Sequence, residues 1–364
     1  MFMFRSKRTA LAKRLWKARI RRENEAGGEA ERDDVNENRD PRDFANADER
    51  SLRTKLLKRL KESQLEMLAF AVENGESSMS TCVMLRKDLV EEPHLKCCQT
   101  WRWPDLRQPQ ELKQLPLCDS IKDPAYICCN PYHWSRICKS ESPPPPYQRF
   151  AMDRLKPEDR APSEGGFGGN QLELRGSLTT EDEPCGVEWC RLAYWELSRR
   201  VGRQYKVFTA AINVFWNVPQ GTGLCLETLA GHSFSPPDTV RRARDTPDAV
   251  LRARDKIGRG LTLSLEADGV WAYNRSEAPI FVNSPTLDDP DSKTHLVYRV
   301  PPGHCLNIFV PGAPRRTWDP QPPTGPVDRD SVRISFAKGW GPKYSRQEVT
   351  ACPTWLEVLL APCR

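Results

Sequence analysis

The residues of this chain best suited to chemistry are its thiols and one of its imidazoles. Cys82, Cys118, Cys128 and His133 offer three thiolates and one ring nitrogen, a donor set that tetrahedral zinc accepts. Four protein ligands leave such an ion no open position for water, so the metal would crosslink a small domain without catalysing anything. The spacing is looser than a Cys-x-x-Cys finger, and Cys97, Cys98, Cys129 and Cys138 stand near as other choices. Buried free thiols beside a hydrogen-bonded His133 remain the alternative that spacing leaves open. A second chemistry is recognition. Pro144-Pro145-Pro146-Tyr147 is a PPxY sequence. Its prolines preform a polyproline II helix, and the tyrosine ring is a flat anchor for the aromatic-lined groove of a WW domain. A third is cationic. Lys338, Lys343 and Arg346 can cluster on one loop, and a nearby helix would add Arg252 and Lys256. Such a patch suits phosphorylated segments through charge-assisted hydrogen bonds, with a solvated basic loop as the plainer reading. The five histidines are scattered, and no Walker loop, nucleophile elbow or zincin motif is present. The chain reads as a binding protein and not as an enzyme.

These residues must be positioned by more than one core. A chain of 364 residues suits two middling domains with linkers. Its mean hydropathy of −0.65 and its 32 prolines point to solvated stretches and spacers. No apolar run approaches the roughly 20 residues needed to span a bilayer, so no membrane insertion is expected. The basic stretch 4–22 lacks an apolar h-region and a cleavage site, which argues against secretion. The 13 cysteines are then better read as thiols or metal ligands than as disulfides. The net charge is +6, with positive charge dense at 4–22, 53–61 and 241–259, which suits anionic partners or solvated helix faces.

Residues 1–47 read as a mostly disordered tail in which Leu11 and Leu15 could line one side of a short helix. Residues 48–139 form a first domain. It opens on an amphipathic helix whose stripe of Leu52, Leu56, Leu57 and Leu60 continues, after a break, through Leu65, Leu68 and Val72 to a stop at Gly75. Residues 140–184 are the proline-rich linker with the PPxY sequence. Residues 185–364 hold short strand-like runs at 192–195, 204–208, 212–215, 261–265, 269–273, 279–282, 296–300 and 332–336, the pattern of a β-sandwich. A helical pattern with an internal near repeat interrupts them at 239–256, and 311–330 is a proline-thick insertion.

Trp101-Arg102-Trp103-Pro104-Asp105-Leu106, followed by Cys128-Cys129-Asn130-Pro131-Tyr132-His133, resembles the MH1 domain of the SMAD family. That resemblance implies a zinc-stabilised α+β domain with structural Zn2+ on Cys82, Cys118, Cys128 and His133. It also implies DNA contact through a basic hairpin. Here the segment 86–101 is short and carries Asp88, Glu91 and Glu92, which argues against sequence-specific DNA binding. Glu188-Trp189-Cys190, Asp268–Arg275, Pro279–Val282 and Ser335–Gly341 resemble the MH2 domain, a β-sandwich with flanking helices. The resemblance places a receptor-binding basic groove on Arg252, Lys256, Lys338 and Arg346, with 338–346 as its loop.

Signal-transducing members end in a phosphorylatable Ser-x-Ser. This sequence reads Leu360-Ala361-Pro362-Cys363-Arg364 and is not expected to receive that switch. Together with the opening Met3–Arg8 and Asn283–Asp288, this resembles the inhibitory class, closest to the vertebrate subtype numbered six. The resemblance implies an inhibitory adaptor of TGF-β/BMP receptor signalling in nucleus and cytoplasm. Its partners would be activated type I receptors, other SMAD proteins, the WW domains of HECT-type ubiquitin ligases and transcriptional co-repressors. A DNA-binding transcriptional regulator acting through the MH1-like domain is the alternative.

Overall fold

The structure, a computed structural model, describes residues 7–19, 55–75, 81–138, 187–217, 223–231, 246–288, 296–312 and 331–360. Residues 1–138 and 188–364 belong to one compact unit and residues 139–187 to another. Among the described residues, the first module of the larger unit combines helices with four short strands. Helix α1 (Lys7–Lys17) carries Leu11 and Leu15 one turn apart, which aligns them on one face. Both are buried against Leu56, Leu60, Leu65 and Leu68. Arg8 Nη2 donates to the Leu57 carbonyl at 2.9 Å, and Arg14 pairs with Glu73. The short helix that the sequence allows along Leu11 and Leu15 is present at 7–17 and is docked. The reason is tertiary, because two leucines cannot hold a helix until another element supplies a surface for them.

Helix α2 (Glu62–Asn74) is closed at its start by Gln64, whose side chain accepts from Lys61 N at 2.7 Å. It ends at Gly75, where φ is +57°. Strands β1 (Met84–Arg86) and β3 (Tyr126–Cys128) pair antiparallel, with Met84 opposite Cys128. Helix α3 (Pro93–Trp101) lies between β1 and β2 (Leu112–Gln114) in sequence, and β4 (Trp134–Ile137) closes the module. Trp101 Nε1 donates to the Leu15 carbonyl at 3.0 Å and so ties α3 to α1.

The second module is a sandwich. One sheet is six-stranded and antiparallel. Its order is β12 (Tyr298–Val300), β11 (Ile280–Asn283), β14 (Val332–Phe336), β15 (Trp355–Leu360), β5 (Cys190–Glu196), β6 (Arg199–Val207). The facing sheet has seven strands. It runs β2, β4, β13 (His304–Phe309), β10 (Gly269–Asn274), β9 (Leu261–Glu266), β7 (Ala211–Phe215), β8 (Gly223–Cys225). Between the sheets lie Leu192, Tyr194, Val214, Leu263, Ala272, Ile308, Ile334, Phe336 and Leu356, contributed by alternate positions of their strands. The other face of the six-stranded sheet is covered as well. There Trp195 and Trp355 stack at 5.0 Å with Trp340 and Cys352 around them. Helices α4 (Leu226–Gly231) and α5 (Asp248–Ile257) flank the sheets.

The eight strand-like runs read from the sequence correspond to β5, β6, β7, β9, β10, β11, β12 and β14, while β8, β13 and β15 are additional. Of the helical pattern at 239–256, the part from 248 is helix and residues 239–245 lie outside the described residues. The seven-stranded sheet crosses from one module to the other. Strand β4 runs parallel to β13, with His304 opposite Arg136 and Cys305 opposite Ile137. Leu115 packs against Trp271, Tyr273 and Cys305, and Lys113 Nζ meets Glu266 Oε2 at 2.8 Å while lying 3.9 Å from the centre of the Trp271 ring.

Candidate metal centre and basic loop

Three stretches of sequence, around 82, 118 and 128–133, deliver the candidate metal ligands. Cys82 precedes β1, Cys118 follows β2, Cys128 ends β3 and His133 sits in a single 3-10 turn, 131–133, before β4. The β1–β3 pairing draws the first and third together. Asn130 shapes the turn, its side chain accepting from Tyr132 N at 3.0 Å. Cys82 Sγ is 3.5 Å from Cys118 Sγ and 3.3 Å from His133 Nδ1, and Cys128 Sγ is 3.5 Å from the same nitrogen. All four donor atoms lie within 4.8 Å of one another. A tetrahedral zinc with ordinary bond lengths requires edges of about 3.8 Å between sulfurs and about 3.5 Å from sulfur to nitrogen. The donor set and its dimensions fit that ion.

The electrostatics show groups crowded for a shared cation. Hydrogen bonds from Cys128 and Cys82 hold the Cys118 thiol far below its ordinary range. The same bonds, seen from Cys128, push its thiol up, with burial adding to the rise. Burial works to lower His133, but the Cys118 and Cys82 sulfurs outweigh it and raise the imidazole to about 9. Cys82, Cys118, Cys128 and His133 would hold a divalent ion, and its charge would relieve this competition. Around the cluster, Gln114 Nε2 donates to Cys118 Sγ at 3.1 Å and Asn130 N to Cys128 Sγ at 3.4 Å. These outer donors escaped the sequence reading, because only the fold brings Gln114 back to a residue four positions on. Cys97, Cys98, Cys129 and Cys138, the other choices of ligand, lie elsewhere, with Cys138 half-buried against the core of the sandwich. Cys97 and Cys129 pack in the core under α1, and Cys98 lies in a second cluster with Leu95, Leu106 and Trp134.

Lys338, Lys343 and Arg346 stand on one loop, 337–348, which leaves the end of β14. Gly341 N donates to the Arg346 carbonyl at 2.7 Å and Tyr344 N to the Gly341 carbonyl at 2.9 Å, so the loop closes on itself. Trp340 is buried beneath it, and the Tyr344 ring meets Phe281 edge-on at 5.5 Å. A Cβ on Gly339 would come within 2.5 Å of the Tyr344 ring, so a larger residue there would displace the tyrosine. Lys343 is exposed, and Lys338 and Arg346 are half-buried. Arg252 and Lys256 lie on the exposed side of α5, whose buried side is Val250, Ala253 and Ile257. Helix α5 packs beside β14 and is anchored by Arg254, whose Nε and Nη2 donate to both oxygens of Glu196 at 2.7 and 2.8 Å. Pro144, Pro145 and Tyr147 lie outside the described residues.

Comparison with known proteins is decisive here. The MH1 domain family matches residues 49–138 and the MH2 domain family residues 187–361. Mothers against decapentaplegic homolog 6 of Gallus gallus is 44% identical over 328 residues, covering 84% of this chain and 73% of that one. The chain belongs to the inhibitory class of the SMAD family. Mothers against decapentaplegic homolog 7 of Homo sapiens is 40% identical over 347 residues, covering 86% and 79%. Dwarfin sma-3 of Caenorhabditis elegans is 29% identical over 300 residues, covering 74% and 72%. SMAD proteins are signalling and transcription adaptors of the TGF-β/BMP pathways that interact with receptors and with one another, and membership gives this chain its role there. Among the described residues no helix is long and apolar enough to cross a membrane.

Proposed function

We propose that this SMAD is an inhibitory adaptor: its basic groove occupies activated type I receptors or receptor-regulated SMADs, and its PPxY sequence brings HECT-type ubiquitin ligases to them. The observation that carries the reading is the 337–348 loop. Its backbone closes on itself and on a buried Trp340, so Lys338, Lys343 and Arg346 are presented without a large ordering cost. Helix α5 extends the cationic surface with Arg252 and Lys256. Phosphorylated segments offer these side chains charge-assisted hydrogen bonds. The MH1 module is stapled by a structural zinc on Cys82, Cys118, Cys128 and His133, and the ion supplies cross-linking alone. The protein works in both cytoplasm and nucleus.

The DNA-binding alternative is opposed by the segment after β1. There Arg86 is paired with Asp88, Nη2 to Oδ2 at 2.8 Å, so a carboxylate stands beside the arginine suited to a base edge or a phosphate and would face the same phosphates. The test is capture of the full chain on phosphorylated type I receptor kinase domain. Lys338→Glu with Arg346→Glu should weaken capture at least about tenfold, the cost of lost charge-assisted bonds. Tyr147→Ala should leave receptor capture intact and abolish capture by WW domains. Undiminished receptor binding by the double variant would refute the groove. A sequence-selective gel shift by the parent would favour the DNA reading.

A further inference from the structure

The candidate zinc ligands and the joint between the two modules share the same short pieces of chain. Strands β2 and β4 have three and four residues, too few to hold a register by their own ladder. Each is tied to a ligand. Leu115 follows β2, and its N donates to the His133 carbonyl at 2.9 Å. Its own carbonyl accepts from Cys118 N at 3.0 Å. Gln114, at the end of β2, donates through Nε2 to Cys118 Sγ at 3.1 Å. Trp134 opens β4 directly after His133, and its Nε1 donates to the Cys128 carbonyl at 3.0 Å. Backbone groups of Cys118, Cys128 and His133 therefore fix where Leu115 and Trp134 stand.

Those pieces also meet the sandwich. The Leu115 side chain is buried against Trp271, Tyr273 and Cys305. Lys113 Nζ meets Glu266 Oε2 at 2.8 Å, and the other oxygen of Glu266 accepts from Tyr273 Oη at 2.6 Å. Arg136 N and Cys138 N donate to the Gly303 and Cys305 carbonyls at 3.1 and 2.8 Å, which sets β4 against β13. Lys113, Leu115, Arg136 and Cys138 all lie within five residues of Cys118 or His133. Trp103 also reaches the sandwich, meeting His304 edge-on at 5.9 Å, and it is held from α3 and not from the ligands.

We propose that Cys82, Cys118, Cys128 and His133, by holding zinc, set the register in which β2 and β4 dock on the sandwich, so that the joint between the modules is zinc-dependent. This rests on the zinc reading given above. Ligation closes the chain between Cys82 and His133 and removes the freedom of the segments it joins. The leucines that pack α1 against α2 bury one another and need no ion for it. Metal loss therefore frees the joint before it opens either core. Undocked, β13 presents an unpaired edge, and Trp271, Tyr273 and Cys305 lose the cover of Leu115.

Thiol alkylation of the full chain tests this, read residue by residue by mass spectrometry with and without a zinc chelator. Cys305 of the joint, Cys97 of the core beneath α1 and Cys190 of the sandwich core are each 0% exposed. In the zinc-loaded chain all three should react slowly. After chelation Cys305 should react at least about tenfold faster, with Cys190 unchanged and Cys97 lagging well behind Cys305. Zinc added back should restore the protection. Leu115→Ala should keep its zinc by metal analysis and still expose Cys305, which separates the joint from the ion. Should that variant fail to fold, Lys113→Gln makes the same comparison. A parent without zinc would overturn the zinc reading and the joint together. A zinc-loaded parent whose Cys305 stays protected after chelation, or whose Cys97 opens as fast as Cys305, would overturn the joint alone.

Discussion

The four residues proposed to hold zinc, Cys82, Cys118, Cys128 and His133, are held by neighbours that only partly define them. Cys118 takes hydrogen bonds from Gln114 and Cys128 from Asn130 N, yet three sulfurs and an imidazole within 4.8 Å still compete for protons. Metal removal should therefore loosen the module that the ligands join. The full chain should carry about one zinc per molecule, fall below about half occupancy after His133→Ala, and lose protease resistance between 112 and 133 on chelation. Metal analysis with limited proteolysis reads both effects. His94 is a second residue with a defined sign. It stacks on Trp134 at 4.5 Å, and burial lowers its imidazole to about 4. Because the folded value lies below the unfolded one, the stability from neutral His94 is complete above about pH 6.5 and is lost as pH falls toward 4, by about 3 kcal/mol. His94→Phe keeps the stack, removes a buried Nδ1 without a partner, and should flatten that part of the pH profile in urea titrations. The donor types at the metal site were legible from sequence, since few side chains bind zinc. The choice among Cys82, Cys97, Cys98, Cys118, Cys128, Cys129 and Cys138 was not legible from spacing, because the candidate ligands converge through the β1–β3 pairing.

At the scale of the element, α1 shows how burial outweighs surface charge. Its ion pairs with Glu66 and Glu73 are exposed, so water and salt screen them and they contribute little. Leu15, 1% exposed, sits in the core beneath α2 and against Trp101. Leu15→Ala should cost about 3 kcal/mol, measured by chemical denaturation, whereas Arg14→Ala should leave the denaturation midpoint nearly unchanged. Sequence periodicity placed Leu11 and Leu15 on one side of a helix. It could not say that the helix would persist, because that depends on the leucines of α2 and of residues 55–60. The strands show the same division. Val332, Ile334 and Phe336 alternate inward as the sequence pattern suggests, while β5 is buried on both faces and hides its period. Strand β13 pairs with β4 of the other module as well as with β10, and no local pattern announces a partner so distant in the chain.

At the scale of the whole molecule, the shared seven-stranded sheet couples the modules. Leu115, Lys113 and the β4–β13 pairing form the joint, and Lys113 meets both a carboxylate and an aromatic face. Calorimetry of the parent should show one cooperative transition for the described unit. Lys113→Glu with Leu115→Ala sets an acid beside Glu266 and opens a cavity under Trp271, and should split the trace into two transitions. The sequence by itself determined the SMAD class, the β-sandwich, the zinc donor types and the basic residues of the 337–348 loop. These follow from residue type, local period and motif, which are properties of neighbours along the chain. Tertiary structure alone decided which thiols converge, that α1 docks and that one sheet serves both modules. Each depends on where burial places residues far apart in sequence, and burial is a property of the assembled chain.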